Sequence, residues 1–331
     1  MHKELNRPIF VVGSPRSGTS ILTWCLGHHP NIFPVPESNW MGDFAVNVAL
    51  AYRVGAARDY YSILSAMDIP NDELFAAFGR SINDLILGHR TDLERKRFAK
   101  RIELKIDPRW IKAASTAAGP KTCWVDGTPE YSFHIYGLRK LFPQALFVHL
   151  VRDVRAVVRS MINFHRVTEI RLVANEEEAY RYWMRTVSAC LVAERAYGPS
   201  VVYRIGYADL INEPESTMRS LLDFLSEPYT ARCLEPLSQR INSSNVPDDF
   251  KAEHPATDPA VVEDATRLNR DLEQTAQPAA ASRAAADEME AAFAKRVQYM
   301  ATLDSQYQRA LQLSGDSAKQ ERHRVASYEP G

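Results

Sequence analysis

Ile9-Phe10-Val11-Val12-Gly13-Ser14-Pro15-Arg16-Ser17-Gly18-Thr19-Ser20-Ile21-Leu22 is the stretch whose reading decides the fold. Four consecutive apolar residues, Ile9 to Val12, predict a buried strand. Gly13 to Ser20 is a loop rich in Gly, Ser and Pro. Ile21, Leu22, Cys25 and Leu26 then recur at helical spacing, and Gly27 and Pro30 end the helix. The order is strand, loop, helix. Gly13 and Gly18 have the spacing of a Walker A loop, whose backbone N–H groups and following helix N-terminus cradle an anion. The triphosphatase signature puts a Lys directly after the second Gly. Thr19 stands there instead, and the loop's cation is Arg16, two residues before Gly18. Such a loop can hold phosphate-like oxygens but lacks the lysine that reaches β- and γ-phosphates.

Outward from this stretch, strands and helices alternate. Strands are predicted near 123–126, at 146–151 and at 201–205, with helices over 131–141, 153–164, 176–196 and 215–225. That alternation argues for a parallel sheet wrapped by helices. The fold class expected is α/β: a P-loop-type parallel β-sheet flanked by helices, with a helical insertion and a helical C-terminal extension. The α/β domain is expected over residues 1–246, with the insertion at about 42–118 walling a cleft. A C-terminal extension with one helix is expected over 247–313, and a disordered polar tail over 314–331.

Composition excludes several classes. The chain has 331 residues, 45% of them hydrophobic and 24% charged, which is ordinary for a globular protein with a large core. Lys+Arg is 40 against Asp+Glu 41, a net charge of −1, without the basic excess of a nucleic-acid binder. No apolar run is long enough to span a membrane. The polar start, Met1 to Arg7, carries no leader-like apolar region, so the cytoplasm is the expected compartment. Cys25, Cys123, Cys190 and Cys233 lie far apart and read as reduced, partly buried thiols. Neither the adjacent His28 and His29 nor Asp248, Asp249 and His254 have a convincing metal spacing.

A second motif lies at the end of the strongest strand. Arg152 follows Leu146-Phe147-Val148-His149-Leu150-Val151, and Ser160 stands eight residues later. Arg can hold a phosphate bidentately and Ser can add a hydroxyl donor, but eight helical residues rise about 12 Å, so spacing alone does not show that they converge.

Together the two motifs resemble those of sulfotransferases that use 3′-phosphoadenosine 5′-phosphosulfate (PAPS). The chain looks closer to the bacterial and tyrosylprotein or carbohydrate types than to the cytosolic phenol type. Pro15-Arg16-Ser17-Gly18-Thr19-Ser20 is similar to the family's 5′-phosphosulfate loop, with Arg16 where the family has Lys or Arg. Val151-Arg152-Asp153 through Ser160-Met161 is similar to the family's 3′-phosphate motif, in which the residues matching Arg152 and Ser160 bind that phosphate. Tyr207-Ala208-Asp209-Leu210 resembles a Tyr-Glu-Asp-Leu box and would bring Tyr207 beside the adenine. Trp124 to Tyr131 resembles the segment that in the family often reads Lys-Thr-Pro, with Gly127 in place of the Lys. The resemblance covers roughly residues 7–40 and 120–226.

The resemblance implies sulfuryl transfer from PAPS, without a metal, to a hydroxyl or amine of a carbohydrate or small-molecule acceptor, leaving 3′-phosphoadenosine 5′-phosphate (PAP). Arg16, Ser17, Gly18, Thr19, Ser20, Arg152, Ser160 and Tyr207 would bind the donor. Arg16 would also stabilise charge, since a guanidinium stays cationic. Glu37, in Val35-Pro36-Glu37-Ser38 after a His-Pro turn, resembles the base of the tyrosylprotein and bacterial enzymes, and Asp126 is the alternative base. The competing readings are a P-loop nucleotide kinase with a degenerate Walker A loop and a non-catalytic nucleotide-binding protein. Trp40, Phe44, Tyr52, Tyr60, Tyr61 and Trp110 could face an acceptor but read more readily as core.

Overall fold

The computed structural model describes residues 7–104, 122–168, 171–238, 246 and 254–326. Five strands, β1 (Ile9–Val12), β2 (Ile32–Pro34), β3 (Cys123–Asp126), β4 (Leu146–Val151) and β5 (Val202–Gly206), form one sheet in the order β2-β3-β1-β4-β5. Every neighbouring pair is parallel. Period-2 alternation sorts β1 between two cores. Phe10 and Val12 join Phe33, Trp124 and Phe147 on one face, while Ile9 and Val11 join Ile32, Val125 and Val148 on the other. Phe10 is fully buried, with Trp124, Tyr131 and Phe147 at ring-centroid distances of 5.5, 5.6 and 5.3 Å.

The helices follow in chain order. α1 (Thr19–Gly27) leads from β1 to β2, and α2 (Met41–Ala56), α3 (Ile63–Ala66) and α4 (Asn71–Leu104) form the described part of the insertion. Trp110 lies outside the described residues. α5 (Ile135–Leu141) precedes β4, and α6 (Val154–Thr168) and α7 (Glu176–Tyr197) precede β5. The predicted helix over 131–141 is in fact two pieces, a 3-10 turn at Pro129–Phe133 and then α5. α8 (Tyr207–Asn212), α9 (Pro214–Leu225) and α10 (Glu235–Ser238) follow β5, and α11 (Pro259–Gln274) and α12 (Arg283–Ala326) form the extension. Among the described residues no helix is long and apolar enough to cross a membrane.

Three elements differ from the sequence reading. β2 was not expected, because three residues ending in Pro34 give almost no periodic signal; Pro is tolerated there because β2 is an edge strand. α11 is a second helix in the extension, where Asp, Pro and Ala dominate the sequence. It is started by Asp258, whose carboxylate accepts from Ala260 N at 2.9 Å, with Pro259 at the first helical position. Val261, Ala265 and Leu272 then pack in a third core with Val157, Trp183 and Val187 of α6 and α7. α12 continues to Ala326, past the end expected near 313, through a stretch rich in the helix formers Ala, Lys, Gln, Glu and Arg.

The extension also closes a sheet edge. β5 has β4 on one side only. On its other side Gln277 Oε1 accepts from Arg204 N at 3.0 Å, and Gln277 Nε2 donates to Val202 O at 3.3 Å. One amide side chain thus pairs with the strand as a neighbouring peptide group would.

Beneath the sheet's C-terminal edge lies a buried charge cluster. His149 Nδ1 is 2.6 Å from Glu194 Oε1, and Arg204 Nη2 is 2.5 Å from Glu194 Oε2, tying β4, α7 and β5 together. Burial disfavours the imidazolium, but Cys190 and Glu194 beside it outweigh burial and raise His149 from an ordinary 6.5 to about 9. Burial likewise opposes the Glu194 carboxylate, yet His149 and Arg204 hold its pKa below the usual 4.5. The raised His149 value stabilises the fold fully below pH 6.5 and loses that contribution as pH rises through about 9. The depressed Glu194 value contributes above pH 4.5 and is lost as pH falls further. Thermal melts from pH 6.5 to 9 should therefore show a fall in Tm that is shallower in His149→Asn. Glu194→Gln, which takes the carboxylate from the buried His149 and the partly buried Arg204, should cost about 3–5 kcal/mol in denaturant unfolding.

Candidate active site

β1 and β4 are paired from Ile9↔Leu146 to Val12↔His149, so the loop after β1 and the Arg152 segment after β4 leave the sheet at the same edge. The chain reverses direction across the sheet here: β1 connects toward β2 on one side, and β3 toward β4 on the other. In open parallel sheets this switch point is where ligands bind.

The loop is shaped by its backbone. Gly13 has φ 139° and Gly18, the N-cap of α1, has φ 103°. A Cβ on Gly13 would lie 2.4 Å from Leu150 O, and one on Gly18 2.7 Å from the Tyr207 ring. Arg16 is also left-handed, at φ 71°, a strain of order 1–3 kcal/mol that surrounding contacts must hold. Ser17 N donates to Ser14 O at 3.0 Å and Gly13 N to Ser132 Oγ at 2.9 Å. The first N–H groups of α1, at Thr19 and Ser20, have no intrahelical partner and lie at the positive end of the helix dipole.

The second motif meets the first through a side chain. Arg16 Nε donates to Ser160 Oγ at 3.1 Å, and Arg152 Nη1 donates to Arg16 O at 3.0 Å. The helical rise that separates Ser160 from Arg152 is bridged by the length of Arg16. The Arg152 guanidinium sits 4.4 Å over the Tyr207 ring, and that of Arg16 sits 4.6 Å over Phe164. Burial and the Arg152 charge depress the Arg16 pKa, with Glu37 opposing them. Two guanidiniums held this close favour an anion between them.

Glu37 follows β2 and accepts from Ser20 Oγ at 2.9 Å, so the loop and the candidate base touch. Asp126, the alternative base, is fully buried. Its Oδ2 accepts from Ser38 Oγ at 2.7 Å, and its Oδ1 accepts from Thr128 N at 2.9 Å and Thr128 Oγ1 at 2.6 Å. Those bonds engage both carboxylate oxygens of Asp126 and brace the segment that carries Glu37. Tyr131, whose hydroxyl is 2.7 Å from Ser38 Oγ and accepts from Met41 N at 3.2 Å, completes the brace.

The sulfotransferase family model matches residues 8–231. The chain belongs to the sulfotransferase family. It is therefore a transferase. Protein-tyrosine sulfotransferase A of Caenorhabditis elegans is 24% identical over 242 residues, covering 72% of this chain and 55% of that protein. The omega-hydroxy-beta-dihydromenaquinone-9 sulfotransferase of Mycobacterium tuberculosis is 30% identical over 105 residues, 29% of this chain and 27% of that one. Among solved structures, the sulfotransferase domain of the Synechococcus PCC 7002 olefin synthase aligns over 88% of this chain and 96% of its own, with 20% identity and a TM-score of 0.43. The match to the worm enzyme thus spans about half of that relative's length.

Other features of this sulfotransferase were less legible. Phe164 and Ser132 were missed; Phe164 lies one helical turn after Ser160, and that spacing was its signal. Trp40 is half exposed, Phe44 packs partly buried against the core, and Tyr60 and Tyr61 are exposed. Tyr52 donates from its hydroxyl to Ile69 O at 2.9 Å. His28 Nδ1 is 3.2 Å from Glu235 Oε2, and His29 Nε2 is 2.9 Å from Pro228 O. All four cysteines are free and buried. Among the described residues no three His, Cys, Asp or Glu gather as metal ligands would.

Gly127 is explained by packing. A Cβ there would lie 2.1 Å from Thr23 Oγ1, and Thr23, fully buried on α1, donates from Oγ1 to Thr19 O at 2.8 Å. A side chain at this position would press on α1, the helix that follows the loop. Gly127→Ala should cost about 1–3 kcal/mol. Adding Thr23→Ala should recover most of that loss, so a double-mutant cycle in denaturant should give a clear coupling energy.

Proposed function

We propose that the protein transfers a sulfuryl group from PAPS to a hydroxyl, or an amine, of a carbohydrate or small-molecule acceptor. The supporting observation is the meeting of the two motifs at one point, with Arg16 on Ser160 and Arg152 on the Arg16 carbonyl. The cradle fits the donor. The glycine-shaped loop and the α1 N-terminus suit the 5′-phosphosulfate, and Arg152 with Ser160 suit a 3′-phosphate, which ATP lacks. PAPS supplies an activated sulfuryl group with PAP as the leaving group.

In the proposed reaction the acceptor oxygen forms the new S–O bond as the bond from sulfur to the bridging oxygen of PAP breaks. Glu37 takes the acceptor proton, and Ser20 orients its carboxylate toward the loop. Arg16 faces the negative charge that develops on the leaving oxygen. A guanidinium carries five N–H donors, so bonding Ser160 through Nε does not exhaust it. Tyr207 holds the Arg152 guanidinium flat, and the Asp126, Thr128 and Tyr131 brace fixes the segment that carries Glu37.

Thermal shift with PAP, compared with ATP plus Mg²⁺, tests the donor. A ligand at about 100 times its Kd adds about 2.7 kcal/mol. PAP should raise Tm in the wild type and lose most of that shift in Arg152→Ala, while stabilisation by ATP/Mg²⁺ alone would overturn the reading. Glu37→Gln should keep PAP affinity within about twofold and lower kcat by about 10²–10⁴.

A further inference from the structure

A cavity of about 400 Å³ opens between residues 33–41 and α4. Phe33, Val35 and Met41, all buried, form its floor, and Ile86 and Leu93, seven residues apart on one face of α4, form its far wall. Pro36 and Ser38, the two neighbours of Glu37 in the chain, also line it. One short segment therefore reaches the phosphate loop through the Glu37 carboxylate and this cavity through the residues on either side. Trp40 stands half exposed in the lining, its ring 5.6 Å edge-on from Phe44. The charged and ionisable lining groups, His89, Asp92 and Lys96, all come from the exposed side of α4, and Arg95 Nη1 already pairs with Asp92 at 3.1 Å.

We infer that this cavity seats the acceptor, and that the acceptor is a hydroxyl compound with an apolar ring body of two or three fused rings rather than an oligosaccharide. The inference rests on the sulfuryl-transfer reading above and narrows it. The volume is at the low end for ligand pockets, about 300–1,000 Å³. A sugar ring carries a hydroxyl on nearly every carbon, and each one buried against Phe33, Val35, Met41, Ile86 and Leu93 without a partner would cost about 1–3 kcal/mol. An aromatic or alicyclic body gains from the same walls, at about 25 cal/mol per Å² buried. Its one reactive hydroxyl is proposed to lie at the Pro36–Ser38 end of the cavity, nearest in the chain to Glu37, whose carboxylate faces Ser20 on the loop side of the same segment. His89 and Lys96 meet any polar group at its other end.

The test uses 2-naphthol as probe, titrated by its own fluorescence into the PAP-loaded protein, with methyl glucoside as the sugar control. Two variants plug the cavity: Leu93→Trp from its wall and His89→Trp from its exposed rim, the second without touching the core. Naphthol should bind the wild type below about 1 mM, weaken at least tenfold in both variants, and be converted to naphthyl sulfate when PAPS replaces PAP. The PAP-induced rise in Tm should be unchanged in both. No naphthol binding, equal binding in the plugged variants, binding without sulfation, or transfer to the glucoside instead would each overturn the inference. Failure of PAP itself to bind the wild type would overturn the sulfuryl-transfer reading, while the naphthol titration would still decide whether the cavity takes an apolar ring.

Discussion

The parallel pairing of β1 with β4, four residues against four in register, is the constraint from which the site follows. Each strand ends at the same edge, so the glycine loop and the Arg152 turn emerge side by side although 136 residues separate Arg16 from Arg152. β5, the next strand over, delivers Tyr207 to the same edge, where its ring covers Gly18 on one hand and Arg152 on the other. A slip of one residue in this register would turn every strand side chain to the opposite face. Phe10 would leave the aromatic core, and the loop would no longer fit under Leu150. Pairing of the strands and assembly of the site are therefore a single event.

What the sheet assembles is electrostatically uncomfortable. Arg16 is strained in its backbone, partly desolvated, and close to a second guanidinium. The stacking of Arg16 on Phe164 and its bond to Ser160 offset part of that cost, and a bound polyanion would offset more. The discomfort is local because its surroundings are stiff. Asp126 has both oxygens engaged, and the His149–Glu194–Arg204 cluster ties the floor of the site to α7.

Much of this was legible in the sequence, for reasons that can be named. The Ile9–Val12 run and the Gly13/Gly18 spacing mark a buried strand and a tight turn into a helix, because the same glycines that allow the backbone to turn also leave room for Leu150 and Tyr207. Arg152 was legible from its place at the end of the strongest strand. Its meeting with Ser160 was not, because the meeting is made by the Arg16 side chain, and side-chain reach leaves no trace in spacing. Asp126 stands out by residue type, but its three hydrogen bonds to Ser38 and Thr128 leave no mark in the sequence. β2 was illegible because three residues have no period, and α11 because its capping Asp and Pro resembled loop composition. Gly127 departs from the motif that its segment resembles, and the packing constraint on it, the Thr23 hydroxyl 2.1 Å from where a Cβ would be, arises between elements far apart in the chain.

The Gln277 side chain on the open side of β5 carries a consequence for where this enzyme ends as a folding unit. The family match stops at residue 231, yet the strand next to the site is closed by an amide 46 residues further on, and Arg204 also donates to the carbonyls of Leu272 and Thr275. A chain cut at the family boundary would keep Arg16, Arg152, Ser160 and Tyr207 and would bare a parallel edge, with Val202 O and Arg204 N unpaired. Such an edge is a template for another strand. The extension thus covers an edge that would otherwise be open to another strand, and the region that defines the family is smaller than the region that closes its sheet.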